Sequence, residues 1–141
     1  MSPDRTTIRK RNWSRVALWV IRGLLGAAFL AAGSLKLAGA PMMVAEFNRI
    51  GLGQWFRYFT AICEISGAIL IVLPLLGGLG ALLLVCVMSG AVLTELLVLH
   101  DSATPAAVLG ILALIVLITL RGDVYRILRL GKKRNSELLP G

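Results

Sequence analysis

Apolar residues gather in four long runs, at about residues 16–37, 58–76, 79–99 and 103–120. Each run approaches the roughly 20 residues that an α-helix needs to cross hydrocarbon. A soluble four-helix bundle would instead show a polar face on every helix, and these runs hardly show one. The pattern therefore predicts an all-α protein, a four-helix transmembrane bundle. The first run also resembles a signal peptide, with basic residues before it and Ala38-Gly39-Ala40 after it. It exceeds the roughly 7–15 apolar residues of a signal h-region, and Lys36 and Pro41 sit badly around such a cleavage site. It is expected to remain as the first span.

The connection between spans one and two is long, about residues 38–57. Pro41 suits the first turn of a helix. Met43, Phe47 and Ile50 then recur at i, i+4 and i+7, with Glu46 and Arg49 off that stripe. This spacing predicts a short amphipathic helix on the outer surface, ended by Gly51, with Gly53 as a hinge. Trp55, Phe56, Tyr58 and Phe59 form an aromatic belt at the entrance of span two, and Trp13 and Trp19 anchor the other side. Pro74, Gly77, Gly78 and Gly80 are expected to make a tight turn between spans two and three. Asp101 and Ser102 are candidate caps for span four, with Pro105 in its first turn. Ala103, Ala106, Gly110 and Ala113 give span four a small-residue stripe for close helix approach. Residues 124–133 read as a basic amphipathic stretch along the inner surface, with a disordered tail beyond it. Gly23–Ala27 and Gly78–Ala81 share a loose glycine-alanine pattern, a weak sign of an old two-hairpin duplication.

Composition agrees with a membrane protein. The chain has 141 residues, of which 57% are hydrophobic, and its mean hydropathy is +0.84. The formal charge is +8, and its placement carries more information than its size. Arg5, Arg9, Lys10, Arg11 and Arg15 precede span one, and Arg121, Arg126, Arg129, Lys132, Lys133 and Arg134 follow span four. Positive segments stay in the cytoplasm, so both termini are expected there. This divides the chain into a basic tail (1–15), a four-span membrane domain (16–120) and a second basic tail (121–141), in a multi-pass protein of the plasma (cell inner) membrane. Juxtamembrane basic clusters set topology and touch anionic lipid, so nucleic acid is not expected as a partner. Arg121-Gly122-Asp123 falls on the cytoplasmic side and is discounted as an adhesion motif. Cys63 and Cys86 form no C-x-x-C motif, and the span limits above separate them in depth by on the order of 10 Å. That spacing argues against a disulfide and for two apolar fillers.

Four charges lie within or at the ends of the apolar runs. Turning about 100° per residue, Arg22, Gly26, Phe29, Gly33 and Lys36 share one narrow stripe of span one. The same wheel aligns Arg57, Thr60, Glu64, Ala68 and Ile71 on span two. On span three it aligns Ala81, Leu84, Met88, Ala91, Glu95 and Leu99. Lipid offers charges no partner, so these stripes should face other helices. Glu64 lies on the order of 9 Å below the outer interface and Glu95 roughly 6 Å below it, with Lys36 at the same level. His100 and Asp101 sit at the rim above. Two readings follow. One is a structural ion pair, Lys36 closest to Glu64, that fixes helix register. The other is a small polar pocket opening outward, a ligand-binding cluster of Lys36, Glu64, Glu95, His100, Thr60 and Gly33. The spacing fits no zinc motif, so no metal site is expected. Arg22 and Gly26 are assigned to packing and topology, with Arg22 snorkelling to the inner interface or pairing with Asp123.

Arg22-Gly23-Leu24-Leu25-Gly26 followed by Phe29–Leu37 resembles the first span of the DoxX and DoxX-like membrane family. Phe47–Leu52 is similar to that family's outer-loop element, Glu64–Ala68 to its second-span glutamate motif, and Gly77–Leu84 to its inner turn. The resemblance covers about residues 22–120. It implies a small four-helix membrane protein, some of whose relatives are subunits of quinone-linked redox or stress-related complexes. Distant relatives help other membrane proteins assemble. The chain carries no haem histidine pair and no flavin motif, so no cofactor of its own is expected, and no catalytic residue is assigned. A quinone or another hydrophobic ligand fits the resemblance. The expected function is a non-catalytic or ligand-binding accessory subunit of a membrane redox or stress-response system. The rivals are an assembly factor for membrane proteins and, more remotely, a proton-coupled transporter. Expected partners are the lipid bilayer, membrane proteins of such a complex and further copies of the chain.

Overall fold

The computed structural model describes the backbone of residues 5–100 and 102–138, and the side chains of residues 13–100, 102–122, 125 and 129. Five helices follow one another: α1 (Arg5–Ala38), α2 (Pro41–Ile50), α3 (Gln54–Val72), α4 (Gly77–Thr94) and α5 (Thr104–Leu138), with a π-helical turn (Glu95–Leu99) continuing α4. No strand occurs among the described residues. Four segments are long and apolar enough to cross a membrane: Trp13–Ala38, Gln54–Val72, Gly77–Leu99 and Thr104–Gly122. Their outward surfaces are apolar, with Leu24, Ile62, Leu97 and Ile118 more than half exposed. Lipid, not water, suits such a surface.

Each break between helices has a local cause. Gly39 adopts φ 70° and lets α1 end in a Schellman motif, in which Gly39 N–H reaches Lys36 O and Ala40 N–H reaches Leu35 O. Pro41 then opens α2. Gly51, in the left-handed region, closes α2 with its N–H on Phe47 O. Leu73 is extended (φ −78°, ψ 134°), as the residue before Pro74 is driven to be. That is why α3 ends at Val72 and not near Leu76. The polar start of α3 is correspondingly earlier than hydropathy suggests, at Gln54.

The turn between α3 and α4 is made by residues 73–76, so the expected glycine turn is corrected. Gly77, Gly78 and Gly80 are buried within the first turns of α4. Their role is close approach. A Cβ on Gly80 would collide with the backbone N of Ile71, so glycine here sets the α3–α4 distance. The same holds at Gly67, where a Cβ would lie 2.6 Å from Leu84.

The bundle packs as a chain of neighbours, α1 on α3, α3 on α4 and α4 on α5, with α1 and α5 meeting less extensively. Its core holds Leu25, Phe29, Ala68, Ile71, Ala81, Leu84, Met88, Ala106, Ala113 and Val116. The small stripe of α5 works as its spacing suggests: Ala106 and Ala113 are buried, and Gly110 leaves 3.2 Å between its missing Cβ and Met88 Cβ. Helix α5 does not stop at the membrane limit but continues to Leu138. Asp101 and the side chain of Asp123, named above as a cap and a partner for Arg22, lie outside the described residues, as do the side chains of residues 1–12 and most of those beyond 122.

Candidate functional site

The charged stripe of α1 ends at two different places. At the end near the α3–α4 turn, Arg22 is 3% exposed. Its Nε donates to Ile71 O at 2.6 Å and its Nη2 to Leu73 O at 2.8 Å. These carbonyls belong to the last turn of α3 and the residue beyond it, which helix geometry leaves without an intrahelical donor. Trp19 lies under the guanidinium, 4.2 Å from ring centroid to Cζ. Arg22 therefore does not snorkel outward; it is buried and ties α1 to the end of α3. Gly77 leaves room for it.

At the other end, Lys36 Nζ donates to both carboxylate oxygens of Glu64, at 2.7 and 2.8 Å. Glu64 is 2% exposed and the Lys36 side chain 15%. The pairing needs a close α1–α3 approach, which Gly33 supplies one turn earlier: a Cβ there would lie 2.7 Å from Ile65 Cγ1 and 3.1 Å from Ala61 O. Gly26 does the same lower down, against Val72 and Ala68.

The ion pair borders a cavity of about 670 Å³ enclosed by α1, α2, α3, α4 with its π turn, and α5. That size falls in the roughly 300–1,000 Å³ range of small-molecule sites. Lys36, Glu64, Thr60 and Glu95 all line it. Phe29, Met88, Ala106 and Leu109 lie around them, and Met43, Glu46, Phe47 and Ile50 close it from α2. The apolar stripe of α2 thus roofs a cavity. Phe47 is 4% exposed, and its ring is 5.9 Å from that of Phe56, which stacks on Phe59 at 6.3 Å. Met42 on α2, Phe59 on α3, Cys86 and Gly90 on α4 and Pro105 on α5 line the cavity and are exposed, so it opens to the outer, apolar surface of the bundle. Nothing lies within 4 Å of a Cβ built on Gly90.

The remaining site residues are placed differently. Glu95 opens the π turn and reaches the cavity from the wall opposite α1; π turns are frequent at functional sites. His100 is exposed, adopts φ 53° and ends that turn with its N–H on Glu95 O; it does not line the cavity. Gly33 packs helices and does not line it either. Arg57, on the same stripe as Glu64, is 4% exposed and donates through Nε to Gln54 Oε1 at 2.7 Å. Gln54 in turn donates to Asn48 Oδ1 at 2.7 Å, so this network seats α2 on the start of α3. Among the described residues no group of three or more His, Cys, Asp or Glu side chains could hold a metal ion.

Sequence reasoning missed Glu46 and the two cysteines as lining residues. Cys63 and Cys86 are free thiols, and both border the cavity. With Gly67 beside Leu84 and Gly80 beside Ile71, the antiparallel register puts them about 3 Å apart in depth, two residues of rise. Most of the larger separation expected above came from starting span two at Tyr58, when α3 starts four residues earlier, and the rest from the register of α3 against α4. The face of α3 that carries Thr60 also carries Cys63, a signal the wheel contained.

No curated protein and no solved structure matches the chain. The model of the DoxX-like family matches residues 20–118, a stretch that contains Arg22, α2, the Lys36–Glu64 pair and the whole cavity. The chain is a membrane protein of the DoxX-like family.

Proposed function

We propose that this protein holds a hydrophobic small molecule in the cavity beneath α2 and serves as a non-catalytic accessory subunit of a membrane redox or stress-response system. The cavity carries the reading. It is mostly apolar, it contains one buried ion pair, and its mouth faces the side from which a lipid-dissolved molecule would enter. The redox association rests on the family resemblance, which also makes a quinone one candidate occupant. Both termini are assigned to the cytoplasm and α2 to the outer side of the plasma membrane, because eleven of fifteen basic residues flank the four spans and positive segments stay inside. Under this assignment a cysteine placed at Asn48 or Ser102 is labelled by an impermeant reagent applied to intact cells, and one at Ser136 is not; the reverse pattern overturns it.

Purification from native membrane in mild detergent tests the functional reading. Co-purification of a quinone-linked oxidoreductase supports it. A varied set of immature membrane proteins would instead identify an assembly factor, and would count against it.

A further inference from the structure

Buried charges in proteins are paired, because an isolated one gives up its hydration for nothing. Arg22 and Lys36 obey that rule, and Arg57 does not. Arg57 is 4% exposed, yet it forms no ion pair with any described residue, and its Nη1 is buried without a hydrogen-bond partner. Its Nε donates to the neutral Gln54 Oε1, and its guanidinium stacks on Tyr58, with Cζ 4.3 Å from the ring centroid. Neither contact supplies a negative charge, and neither gives Nη1 an acceptor.

The unpaired edge faces the corner between α1 and α2. Nη1 and Nη2 lie 3.8 and 3.9 Å from the position that a Cβ on Gly39 would take. Gly39 precedes Ala40, the N-cap of α2, which offers no side-chain cap. Ala40 N–H reaches Leu35 O and Val44 N–H reaches Ala40 O, and Pro41 has no N–H. The N–H groups of Met42 and Met43 are therefore the first-turn donors left over. An uncapped helix N-terminus attracts anions, phosphate among them. The level in the bundle points the same way. Trp55, Tyr58 and Phe59 are exposed around Arg57, and such an aromatic belt marks the head-group level of a membrane. Arg57 does not line the cavity, so this corner is a separate place.

We infer that the α1–α2 corner binds a phosphate-type oxyanion, carried by a lipid head group or free, with Arg57 as its cation. The planar fork of a guanidinium matches two phosphate oxygens, and Nη1 and Nη2 are the edge that faces the corner. Because Nη1 is closed to solvent, the oxyanion enters by displacing the corner at Gly39, which carries no side chain.

The full chain, stripped of lipid in dodecyl maltoside, is titrated with dioleoylphosphatidate, with dioleoylglycerol, which lacks the phosphate, and with sodium phosphate against sodium chloride at equal ionic strength. The unfolding midpoint is followed. Phosphatidate should raise it with a half-effect at a mole fraction about tenfold or more below that of dioleoylglycerol, the fold-change that one charge-assisted hydrogen bond gives. Arg57→Gln should lose most of that difference, and Arg57→Lys should keep only part of it, because an ammonium has no fork. A rise with sodium phosphate as well would identify the free ion as an occupant, and a rise with phosphatidate alone the lipid head group; both support the inference. A phosphatidate response undiminished in Arg57→Gln would place binding on the basic tails and overturn it. If Arg57→Gln does not fold, an undiminished response in Arg57→Lys overturns it instead. No response to either probe in the wild type would leave an internal water as the partner of Nη1 and would also overturn it. The cavity reading is independent of all these outcomes.

Discussion

Arg22 and Lys36 lie on one stripe of one helix, yet the two ends of the bundle use their cations in opposite ways. Arg22 meets backbone. Two fixed carbonyls at the end of α3 take its fork, and around it Gly77, Gly80 and Gly67 bring the helices into contact. Lys36 meets a side chain, Glu64, beside a cavity of about 670 Å³. A planar five-donor guanidinium satisfies two carbonyls at once, while an ammonium is a point charge on a flexible stem. The first end is built to be rigid. The second keeps volume, carboxyl groups and an entrance, at the place where four helices and a roof helix would otherwise have filled with side chains.

The largest expected effect attacks the rigid end. Gly80→Leu puts a side chain where even a Cβ meets the Ile71 backbone, so α3 and α4 must separate. We expect a loss of roughly 3 kcal/mol or more, the upper part of the overpacking range, seen as loss of the monodisperse species in size-exclusion chromatography. Next is Arg22→Met, which leaves the Ile71 and Leu73 carbonyls without their charged donor; hydrogen bonds to charged groups are worth about 1.5–3 kcal/mol each, so thermal unfolding in mild detergent should report a loss of about 2–4 kcal/mol. Arg22→Lys should recover only part of it, since one ammonium does not reproduce the fork.

The same measurement at the open end should give a smaller and non-additive result. Lys36→Met strands a nearly fully buried carboxylate and should cost about 2–3 kcal/mol, somewhat under the usual penalty for breaking a buried pair because Lys36 keeps some exposure. Lys36→Met combined with Glu64→Leu should return to within about 1 kcal/mol of the parent, while ligand binding and partner co-purification are lost. A double variant that is stable and fully functional would reduce the pair to a register device. A double variant as unstable as the single one would show that the α1–α3 interface depends on the charges themselves.

The difference between the ends also explains what could be read from sequence. The α1 stripe was legible from Arg22 to Lys36 because a 3.6-residue period and an apolar environment leave only one face for charges and glycines. The Lys36–Glu64 partnership followed from shared depth on adjacent antiparallel spans. The glycines of α4 were misread because glycine punctuates loops far more often than it packs two backbones, and only the partner helix, at Ile71 and Leu84, distinguishes the roles. The start of α3 was placed too late because Gln54 and Arg57 look like flanking polar residues, although Arg57 is buried in a network with Gln54. Glu46 was placed on the surface because the tilt of a ten-residue helix on a bundle is set by tertiary contacts. The π turn at Glu95 has no sequence pattern comparable to a proline or glycine signal.

The central claim is that the end roofed by α2 holds a hydrophobic molecule, and occupancy tests it most directly. Ala91 lines the cavity from α4 and is half-buried, so Ala91→Phe fills volume without touching a charge. Wild-type and Ala91→Phe proteins are purified in parallel from native membrane in mild detergent, and the apolar compounds released by solvent extraction are quantified per chain by mass spectrometry. The account predicts one compound class near stoichiometry in the wild type, at least about tenfold depleted in Ala91→Phe, with an unfolding midpoint changed little because the new ring occupies existing space. Equal recovery from both proteins, or none above the level of an unrelated membrane protein from the same preparation, would contradict it.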